Sequence, residues 1–357
     1  MKFKNILKSM LLGLVMAGGL TSCDDSFIFE GEGDCSPKVQ FVFKKHRQAL
    51  HSIPGREADV FSSTVGSVHL FVYDASTGEL VFEKSENTDA LKSEADLNLG
   101  NSTARCYMPV DLAPGTYKFV AWCGLNESDD NNAFSLEEGT RAGRRYDECK
   151  VKTDEGDGNP VHHEKYESIY HGVVHSATVT FDNNGGSIIP VELTKNNNDI
   201  SVWVQHTGGT FEEGDYEVVY TDRNGGMHFE DNSMTRDNKL EYRAYKSSVL
   251  NSSVSVNDNT IESGALVAHI STARLMESHS EDARLEVRDK EGKTVFSIPF
   301  IKYMAQLQTL TNDNQYYLDC EDTYNCSFYL TGEGDTWMPW QIIINNWVVV
   351  PEQHYDE

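Results

Sequence analysis

The run Ala113-Pro114-Gly115-Thr116-Tyr117-Lys118-Phe119-Val120-Ala121-Trp122 decides the fold of this chain. Its first four residues have the composition of a turn, and its last six are apolar except for one lysine. A short apolar run bounded by a turn predicts a strand buried in the interior of a sheet. The sequence on either side repeats this pattern of short strands and turns.

Upstream of this run, the sequence predicts four further strands, the last of them at Ala104–Val110, and a short helix. In Lys38–Lys44 apolar residues alternate with polar ones, which is the period of a half-buried strand. Val68–Tyr73 has the same pattern, and the turn Asp74–Gly78 connects it to Leu80–Glu83 as a hairpin. The helix is predicted over Thr88–Leu97.

Downstream, the long polar run Asn126–Asn159 is interpreted as a surface excursion. Strands are predicted at Ser168–Phe181 and Ile188–Leu193, and the asparagine-rich interruption Lys195–Asn198 marks a domain boundary. A helix is predicted over Pro299–Leu310 from its helical spacing of apolar residues. The remaining apolar runs predict strands: Ile200–Val204, Tyr216–Tyr220, Glu241–Tyr245, Leu266–Thr272, Arg284–Arg288, Thr294–Ile298, Tyr316–Asp319, Ser327–Leu330 and Trp340–Val350.

Together these elements predict an all-β protein. Short strands that recur every 8 to 12 residues or so, with turn signals between them, are typical of antiparallel β-sandwiches. The chain has 357 residues, which is comfortable for two domains. We therefore expect two tandem β-sandwich domains, residues 35–195 and 196–357, with a few short helices.

The first 22 residues predict a secretory signal peptide. Three lysines precede the apolar run Met10–Leu20, which is too short to span a bilayer. The run ends in Leu20-Thr21-Ser22-Cys23, the layout of a bacterial lipobox, so we expect cleavage between Ser22 and Cys23 and acylation of the Cys23 thiol. Several buried acyl chains would hold the protein on a membrane. An ordinary signal peptide with an incidental cysteine is the alternative.

Residues 23–34 predict an acidic, lipid-proximal linker, with carboxylates at Asp24, Asp25, Glu30, Glu32 and Asp34. An acidic run directly after a lipidated cysteine resembles the surface-export signal of Bacteroidetes lipoproteins, although a solvated linker has the same composition. The whole chain is acidic too, with a net charge of -26, which repels phosphate backbones. The sequence therefore predicts surface display on the outer membrane and no nucleic-acid partner.

Six cysteines remain once Cys23 is assigned to the lipid, an even number in an exported protein, where disulfides persist. Cys320 and Cys326 are the closest pair in sequence, and the polar residues between them suit a hairpin loop. A disulfide across that hairpin is predicted. The connectivity of the others stays open: Cys35, Cys106, Cys123 and Cys149.

The sequence contains no catalytic constellation, and no enzyme is predicted. It has no Gly-x-Ser-x-Gly elbow, P-loop or dinucleotide fingerprint. His162-His163-Glu164 lacks the spacing of a zinc site, so neither a metal nor another cofactor is expected. Trp337, Trp340 and Trp347 have flat rings that suit sugar faces, but the apolar run around the last two favours core packing or an interface.

Several runs, in a fixed order, resemble the anchor and accessory lipoproteins of Bacteroidetes fimbriae, the fimbrillin-associated family of the protease-assisted, donor-strand (type V) pilus. After the lipobox, the matching runs cover nearly the whole mature chain: Val68–Asp74, Leu112–Trp122, Ile169–Gly172, Val191–Ile200, Tyr317–Asp319 and Ile344–Val350. The resemblance implies transthyretin-like folds for both sandwiches, no catalytic activity, and a place in a fimbrium on the outer membrane.

The resemblance also implies partners, namely fimbrial stalk or accessory subunits that are joined by β-strand addition. A sheet edge offers open N–H and C=O groups, and a neighbour's strand can complete the sheet there. Gln341–Val350 is the candidate to pair with a partner, and a wholly internal last strand is the alternative.

In the resembling family, polymerising subunits lose an N-terminal strand by cleavage after an arginine. The candidate sites here are Arg47 and Arg56, and a cut at either would separate Cys23 from the sandwich. We therefore expect the strand Val39–Phe43 to stay attached in its own sheet. The predicted function is a fimbrial anchor or accessory subunit that ends the fibre. The alternative is a free surface lipoprotein that binds a glycan or another host ligand.

Overall fold

The structure, a computed structural model, describes residues 37–43, 65–91, 106–125, 134–136, 150–153, 161–162, 165–182, 185–235, 239–256, 259–306, 314–331 and 338–349. The strands of the first half are β1 (Lys38–Phe43), β2 (Ser67–Asp74), β3 (Leu80–Asn87), β4 (Cys106–Pro109), β5 (Gly115–Cys123), β6 (Phe134–Leu136), β7 (Lys150–Thr153), β8 (Val161–His162), β9 (Tyr170–Val179), β10 (Phe181–Asp182), β11 (Gly185–Gly186) and β12 (Ile188–Lys195).

The strands of the second half are β13 (Asn197–Thr207), β14 (Tyr216–Asp222), β15 (Gly226–His228), β16 (Met234–Thr235), β17 (Leu240–Arg243), β18 (Lys246–Val256), β19 (Asn259–Ala273), β20 (Arg284–Asp289), β21 (Thr294–Ile298), β22 (Thr323–Thr331), β23 (Met338–Ile344) and β24 (Trp347–Val349). The helices are α1 (Thr88–Leu91), α2 (Phe300–Gln306) and α3 (Asn314–Cys320), with a 3-10 turn at Glu277–His279. The all-β prediction is confirmed.

The first sheet has seven strands in the order β3-β2-β5-β9-β12-β1-β4. β5 lies in its interior, as the apolar run predicts, and Phe119–Trp122 are fully buried. Successive side chains of a strand point to opposite faces of the sheet. Leu70 and Phe119 pack in a core formed by the first half alone, whereas Phe71 and Trp122 pack in a core shared with the second half. Both faces of β2 and β5 are therefore buried, which explains their nearly continuous apolar sequence.

The second half forms a six-stranded sheet, β18-β19-β13-β22-β23-β24, and four strands of a five-stranded sheet, β21-β20-β14-β17-β8, whose last strand, β8, comes from the first half. A four-stranded sheet, β16-β15-β7-β6, combines strands from both halves. The shared core is lined by Val202, Tyr220, Leu285 and Phe328, one from each of four strands of the two larger sheets. These sheets therefore pack face to face as layers.

Most pairs among the described strands are antiparallel, as predicted, and three are parallel: β1 with β12, β13 with β22, and β17 with β8. Parallel neighbours need a long crossover between them. In the parts of these crossovers that the structure describes there are other strands and short helices, but no long helix. The sequence therefore lacks the alternation of strand and helix that usually indicates parallel pairing.

The division between residues 195 and 196 falls between β12 and β13, and it stays a prediction. The two halves are joined by more than a linker, since β7 pairs with β15 and β8 pairs with β17. β6 and β7 come from the run interpreted as a surface excursion, and Phe134 of β6 is buried in the shared core. That interpretation is therefore wrong for these strands.

Two predictions near the end of the chain are also corrected. The residues Tyr316–Asp319 belong to helix α3 rather than to a strand. The disulfide between Cys320 and Cys326 is not formed, and both residues carry buried thiols. Because α3 ends at Cys320 and β22 begins at Thr323, the two residues do not flank a hairpin loop. Burial raises the pKa of the Cys326 thiol well above its ordinary value.

Candidate functional site

β1 occupies a position inside the first sheet, between β12 and β4. It pairs in parallel with β12 along its whole length and antiparallel with β4 over Lys38–Phe41. The N–H of Lys38 donates to the carbonyl of Ser187, and the N–H of Val110 donates to the carbonyl of Pro37, both at 2.9 Å. Both sides of β1 are therefore hydrogen-bonded to strands of its own chain.

The side chains of β1 hold it in this position. Val39 and Phe41 are fully buried in the core that the first half forms alone, together with Met108 and Val191. Burying an apolar side chain of this size is worth about 1.5 to 3 kcal/mol relative to leaving it exposed. The predicted first strand is confirmed, and loss of this strand would leave an apolar cleft between β12 and β4.

Several predicted residues lie outside the residues that the structure describes, so their roles remain predictions: Ser22, Cys23, Cys35, Arg47, Arg56, Cys149 and Trp337. Within the described ranges, no helix is long and apolar enough to cross a membrane.

A buried polar cluster lies within the second half, beside the predicted boundary. The Arg274 guanidinium donates from Nε and Nη2 to the two carboxylate oxygens of Asp319, at 2.8 and 2.7 Å. Its Nη1 donates to the carbonyl of Asn232 at 2.7 Å, and the side-chain amides of Asn232 and Asn196 bond to each other. Removing one member of a buried ion pair typically costs about 3 to 5 kcal/mol, because the other charge is left uncompensated. Asn196 also donates its backbone N–H to the carbonyl of Ile169 at 2.8 Å, and this bond ties the cluster to the first half at the predicted boundary.

His171 lies beside this cluster, on β9. Its ring packs on Trp122, with centroids 4.5 Å apart, and its Nε2 lies 3.0 Å from the carbonyl oxygen of Phe229. Burial disfavours the charged imidazolium and lowers the pKa of His171 to about 3. A neutral ring can donate from Nε2 to Phe229. His171 therefore acts as a structural hydrogen-bond donor between the halves, not as a metal ligand or a catalytic base.

The buried Tyr220, Asp222 and His279 are linked by hydrogen bonds and superficially resemble catalytic machinery. The Tyr220 hydroxyl donates to Asp222 at 2.8 Å, and His279 Nδ1 lies 2.8 Å from the other carboxylate oxygen. All three side chains are inaccessible to a substrate. Over the part of the chain that the structure describes, no three metal-ligating residues of the His, Cys, Asp and Glu types come together. The polar interior is thus a packing feature.

The predicted final run forms part of β23 and all of β24, joined by a tight turn. Asn345 and Asn346 both have positive φ angles, of 45° and 70°, as a two-residue hairpin turn requires. Trp347 is 58% exposed, so it does not pack in the core, and a role in an interface stays a prediction. β24 pairs with β23 in its own sheet, and at three residues it is a short edge.

β18, the other edge of the same sheet, differs from the edges of its neighbours. It is eleven residues long, has Lys246 as its only charged residue, contains no proline, and pairs with β19 without a register shift. Natural sheets usually protect an edge by shortness, charge, proline or a bulge. The sequence interpretation did not find this strand, because its serines and asparagine look like a loop. The only signal is the alternation Val254-Ser255-Val256.

The profile of one protein family, the fimbrillin-A associated anchor proteins Mfa1 and Mfa2, matches residues 32–352. The chain belongs to this family. Membership confirms the resemblance found in the sequence and supports a fimbrial or adhesin role at the cell surface rather than catalysis. Among curated protein sequences, none matches this chain.

Solved structures show the same fold over nearly the whole length. A candidate adhesin from Bacteroides thetaiotaomicron has 24% identity and a TM-score of 0.69, and the match covers 89% of this chain and 98% of that one. A candidate polysaccharide-binding protein from the same organism has 24% identity, a TM-score of 0.67, and coverage of 89% and 99%. The fimbrial anchor protein Mfa2 from Porphyromonas gingivalis has 16% identity, a TM-score of 0.56, and coverage of 88% and 99%.

Proposed function

We propose that this protein is a fimbrial anchor, or an accessory subunit close to the base, that attaches the fibre to the outer membrane and ends its assembly. The acyl chains on Cys23 attach it to the membrane, and its partners are neighbouring fimbrial subunits. The observation that carries the proposal is the position of β1, with Val39 and Phe41 buried and both backbone edges hydrogen-bonded. A sheet that keeps its own strand has no open position there for a donor strand.

The position of the candidate cleavage sites explains why an anchor must keep β1. Arg47 and Arg56 both follow β1 in sequence, so a cut at either would separate the lipid and β1 from the remainder of the protein. A cleaved form could release β1 and accept a neighbour's strand in the apolar cleft between β12 and β4. An uncleaved form stays on the membrane and cannot accept a strand there.

N-terminal analysis of the protein from purified fimbriae tests this proposal. An acylated Cys23 supports the terminating role, and a start at Gln48 or Glu57 refutes it. Cys23→Ala tests the anchor separately, because the protein should fold and be lost from the outer-membrane fraction. Ser22→Gly, which keeps a small residue before the cysteine, is the matched control. Equal retention of Cys23→Ala in the membrane pellet would refute the lipid anchor.

The alternative, binding of a glycan on an aromatic platform, receives less support from the described tryptophans. Trp203 and Trp347 are both exposed. The register Trp203↔Ser327↔Ile343↔Val348 places Val348 on the face of Trp203, so Trp347 lies on the other face. These two rings therefore do not form one platform for a sugar.

A further inference from the structure

The open edge of β18 has the features of a site that accepts a β-strand from another protein. We propose that β18 pairs with an extended segment of a neighbouring fimbrial subunit, with apolar residues at alternate positions and a lysine or arginine that reaches an acidic cleft. The inference rests on the proposed fimbrial function for the source of the segment. It places the contact in the second half of the chain, away from the position of β1.

The first step is to establish which backbone groups of β18 are open. The N–H of Gly208 donates to the carbonyl of Glu262, so Glu262 directs its backbone groups toward β13. Its neighbours Ile261 and Ser263 then direct theirs toward β18, where they lie opposite Val254 and Ser252. The even-numbered residues of β18 therefore bond to β19.

The odd-numbered residues of β18 direct their N–H and C=O groups away from β19, and they are Ser247, Val249, Asn251, Ser253 and Ser255. Among the strands that the structure describes, none pairs with β18 on that side. This row of groups is what a partner strand needs for β-augmentation.

The other described edges of the larger sheets lack these features. β3 carries Glu83, Lys84 and Glu86, and Lys84 forms an ion pair with Glu86 at 3.1 Å. β4 has four residues and ends at Pro109, and β21 has five residues beside a register shift in its ladder. Shortness, proline, charge and irregularity all oppose pairing with another chain. β18 alone among these edges is long, regular and nearly uncharged.

A cleft beside β18 would receive the inward-facing side chains of the added strand. It has a volume of about 580 Å³ and lies between Ser247–Val249 of β18 and a wall made by Glu213–Glu217 and the turn Asp289–Gly292. The loop before this wall is tied to β18, because Phe211 exchanges two hydrogen bonds with the Asn251 side chain, at 3.0 and 2.8 Å. Gly264 is required here, since a Cβ would come within 2.9 Å of Asn251 Oδ1 and the Phe211 ring.

The charge of the cleft selects a basic residue in the partner. Both cations that line the cleft already face carboxylates: Lys290 lies 3.3 Å from Asp215, and Arg243 lies 3.5 Å from Glu217. The lining has four carboxylates against these two cations: Glu213, Glu217, Asp289 and Glu291. The excess of negative charge favours a lysine or arginine that reaches in from the paired strand.

The outer side of the added strand would meet exposed apolar side chains. Leu250 and Val254 of β18 are 52% and 59% exposed, and Ile261 of β19, opposite Val254, is 49% exposed. β18 and β19 continue beyond Thr207, the last residue of β13, so their distal part is a two-stranded arm. The acceptor therefore offers apolar contacts on its outer face and an acidic cleft on its inner face.

Paired proline and alanine variants test the proposal in cells that assemble fimbriae. Ser247→Pro with Ser253→Pro removes two outward N–H groups but no hydrogen bond to β19. Ser247→Ala with Ser253→Ala keeps those groups and is the matched control. The readouts are the amount of this protein in the outer membrane, its unfolding midpoint, and the ratio of cell-attached to shed fimbriae.

We expect the proline variant to be folded and membrane-bound but to shed fimbriae at least tenfold more than the alanine variant. A photoreactive residue at position 253 should crosslink to an extended segment of a fimbrial subunit, and the proline at position 247 should abolish that crosslink. Glu213→Gln with Glu291→Gln should weaken attachment about two- to fivefold at low salt only.

Three results would overturn the proposal. Equal fibre attachment in the proline and alanine variants refutes pairing at β18 while leaving the fimbrial function intact. A crosslink from position 253 to a protein other than a fimbrial subunit refutes the proposed occupant. If deletion of the whole protein leaves fibre attachment unchanged, the fimbrial function and this inference are refuted together.

Discussion

β1 and β18 differ in how their backbone N–H and C=O groups are hydrogen-bonded. β1 lies between β12 and β4, with hydrogen bonds on both sides and Val39 and Phe41 fully buried. Among the described strands, β18 is bonded to β19 alone, and Leu250 and Val254 are exposed to solvent. A strand with partners on both sides contributes to the stability of the fold. A strand with one open side contributes less and remains available for binding.

The difference follows from how each strand is buried. Interior strands gain free energy from both neighbours and from burial of their side chains, so their core-facing positions are apolar. An edge gains from one neighbour, and selection against aggregation normally adds charge or proline to it. β3 shows that protection, whereas β18 lacks it. Variants in the two regions should therefore differ in whether they change stability or association.

The largest expected effect on stability is at β1. Phe41→Ala should lower the free energy of unfolding by about 3 to 5 kcal/mol, because it opens a cavity in a core that the first half forms alone. Urea denaturation of the purified protein without its leader measures this change. Ile188→Ala, at an exposed position on the neighbouring β12, is the control and should change stability by less than about 0.5 kcal/mol. Equal effects at the two positions would show that β1 is not held as described.

The free energy of unfolding should depend on pH through His171, which lies at the junction of the two halves. Its pKa is lowered to about 3 in the folded state against about 6.5 in the unfolded state, so the unfolded state binds the extra proton between these values. The stability from His171 is therefore complete above pH 6.5 and is lost as the pH falls toward 3. The slope approaches about 1.4 kcal/mol per pH unit.

A His171→Gln variant separates the pH dependence due to His171 from the pH dependence due to the carboxylates. Glutamine can still donate to the Phe229 carbonyl but does not titrate. Urea midpoints of both proteins between pH 4 and 7 should converge as the pH falls, because only the histidine form loses stability through residue 171. Parallel pH profiles would show that His171 is not kept neutral by burial.

A third prediction tests the assignment of open and bonded groups on β18. Ser248→Pro removes an N–H that donates to β19 and should cost about 1 to 3 kcal/mol. Ser247→Pro, one residue earlier, removes an outward N–H and should cost less than about 1 kcal/mol. Hydrogen exchange at the two amides of the wild type gives an independent check, since the Ser248 amide should exchange more slowly. The reverse order in either experiment would show that Ser247, not Ser248, donates its N–H to β19, which contradicts the proposed assignment.

Sequence patterns predicted the strands whose burial is decided locally. Val39 and Phe41 alternate with polar residues, and the run before Cys123 is apolar because both faces of β5 are buried. Position in the sheets could not be predicted, since β7 pairs with β15 more than 70 residues later in the chain. The ion pair between Arg274 and Asp319 joins residues 45 apart, so no local pattern indicates it. The local pattern at Tyr316–Asp319 predicts a strand, whereas these residues form part of α3. β18 was missed because an open edge needs few apolar residues.

The smallest effect on the isolated protein is expected at Leu250. Its side chain is half exposed, so Leu250→Ala removes little buried surface and should change the free energy of unfolding by less than about 0.5 kcal/mol. If β18 accepts a partner strand, the same substitution removes apolar contact area on the outer face of the complex. We therefore expect weaker retention of fimbriae on cells with Leu250→Ala than with Val81→Ala, an exposed apolar position on the charge-protected edge β3. Equal retention, with unchanged stability in both variants, would show that the outer face of β18 takes no part in assembly.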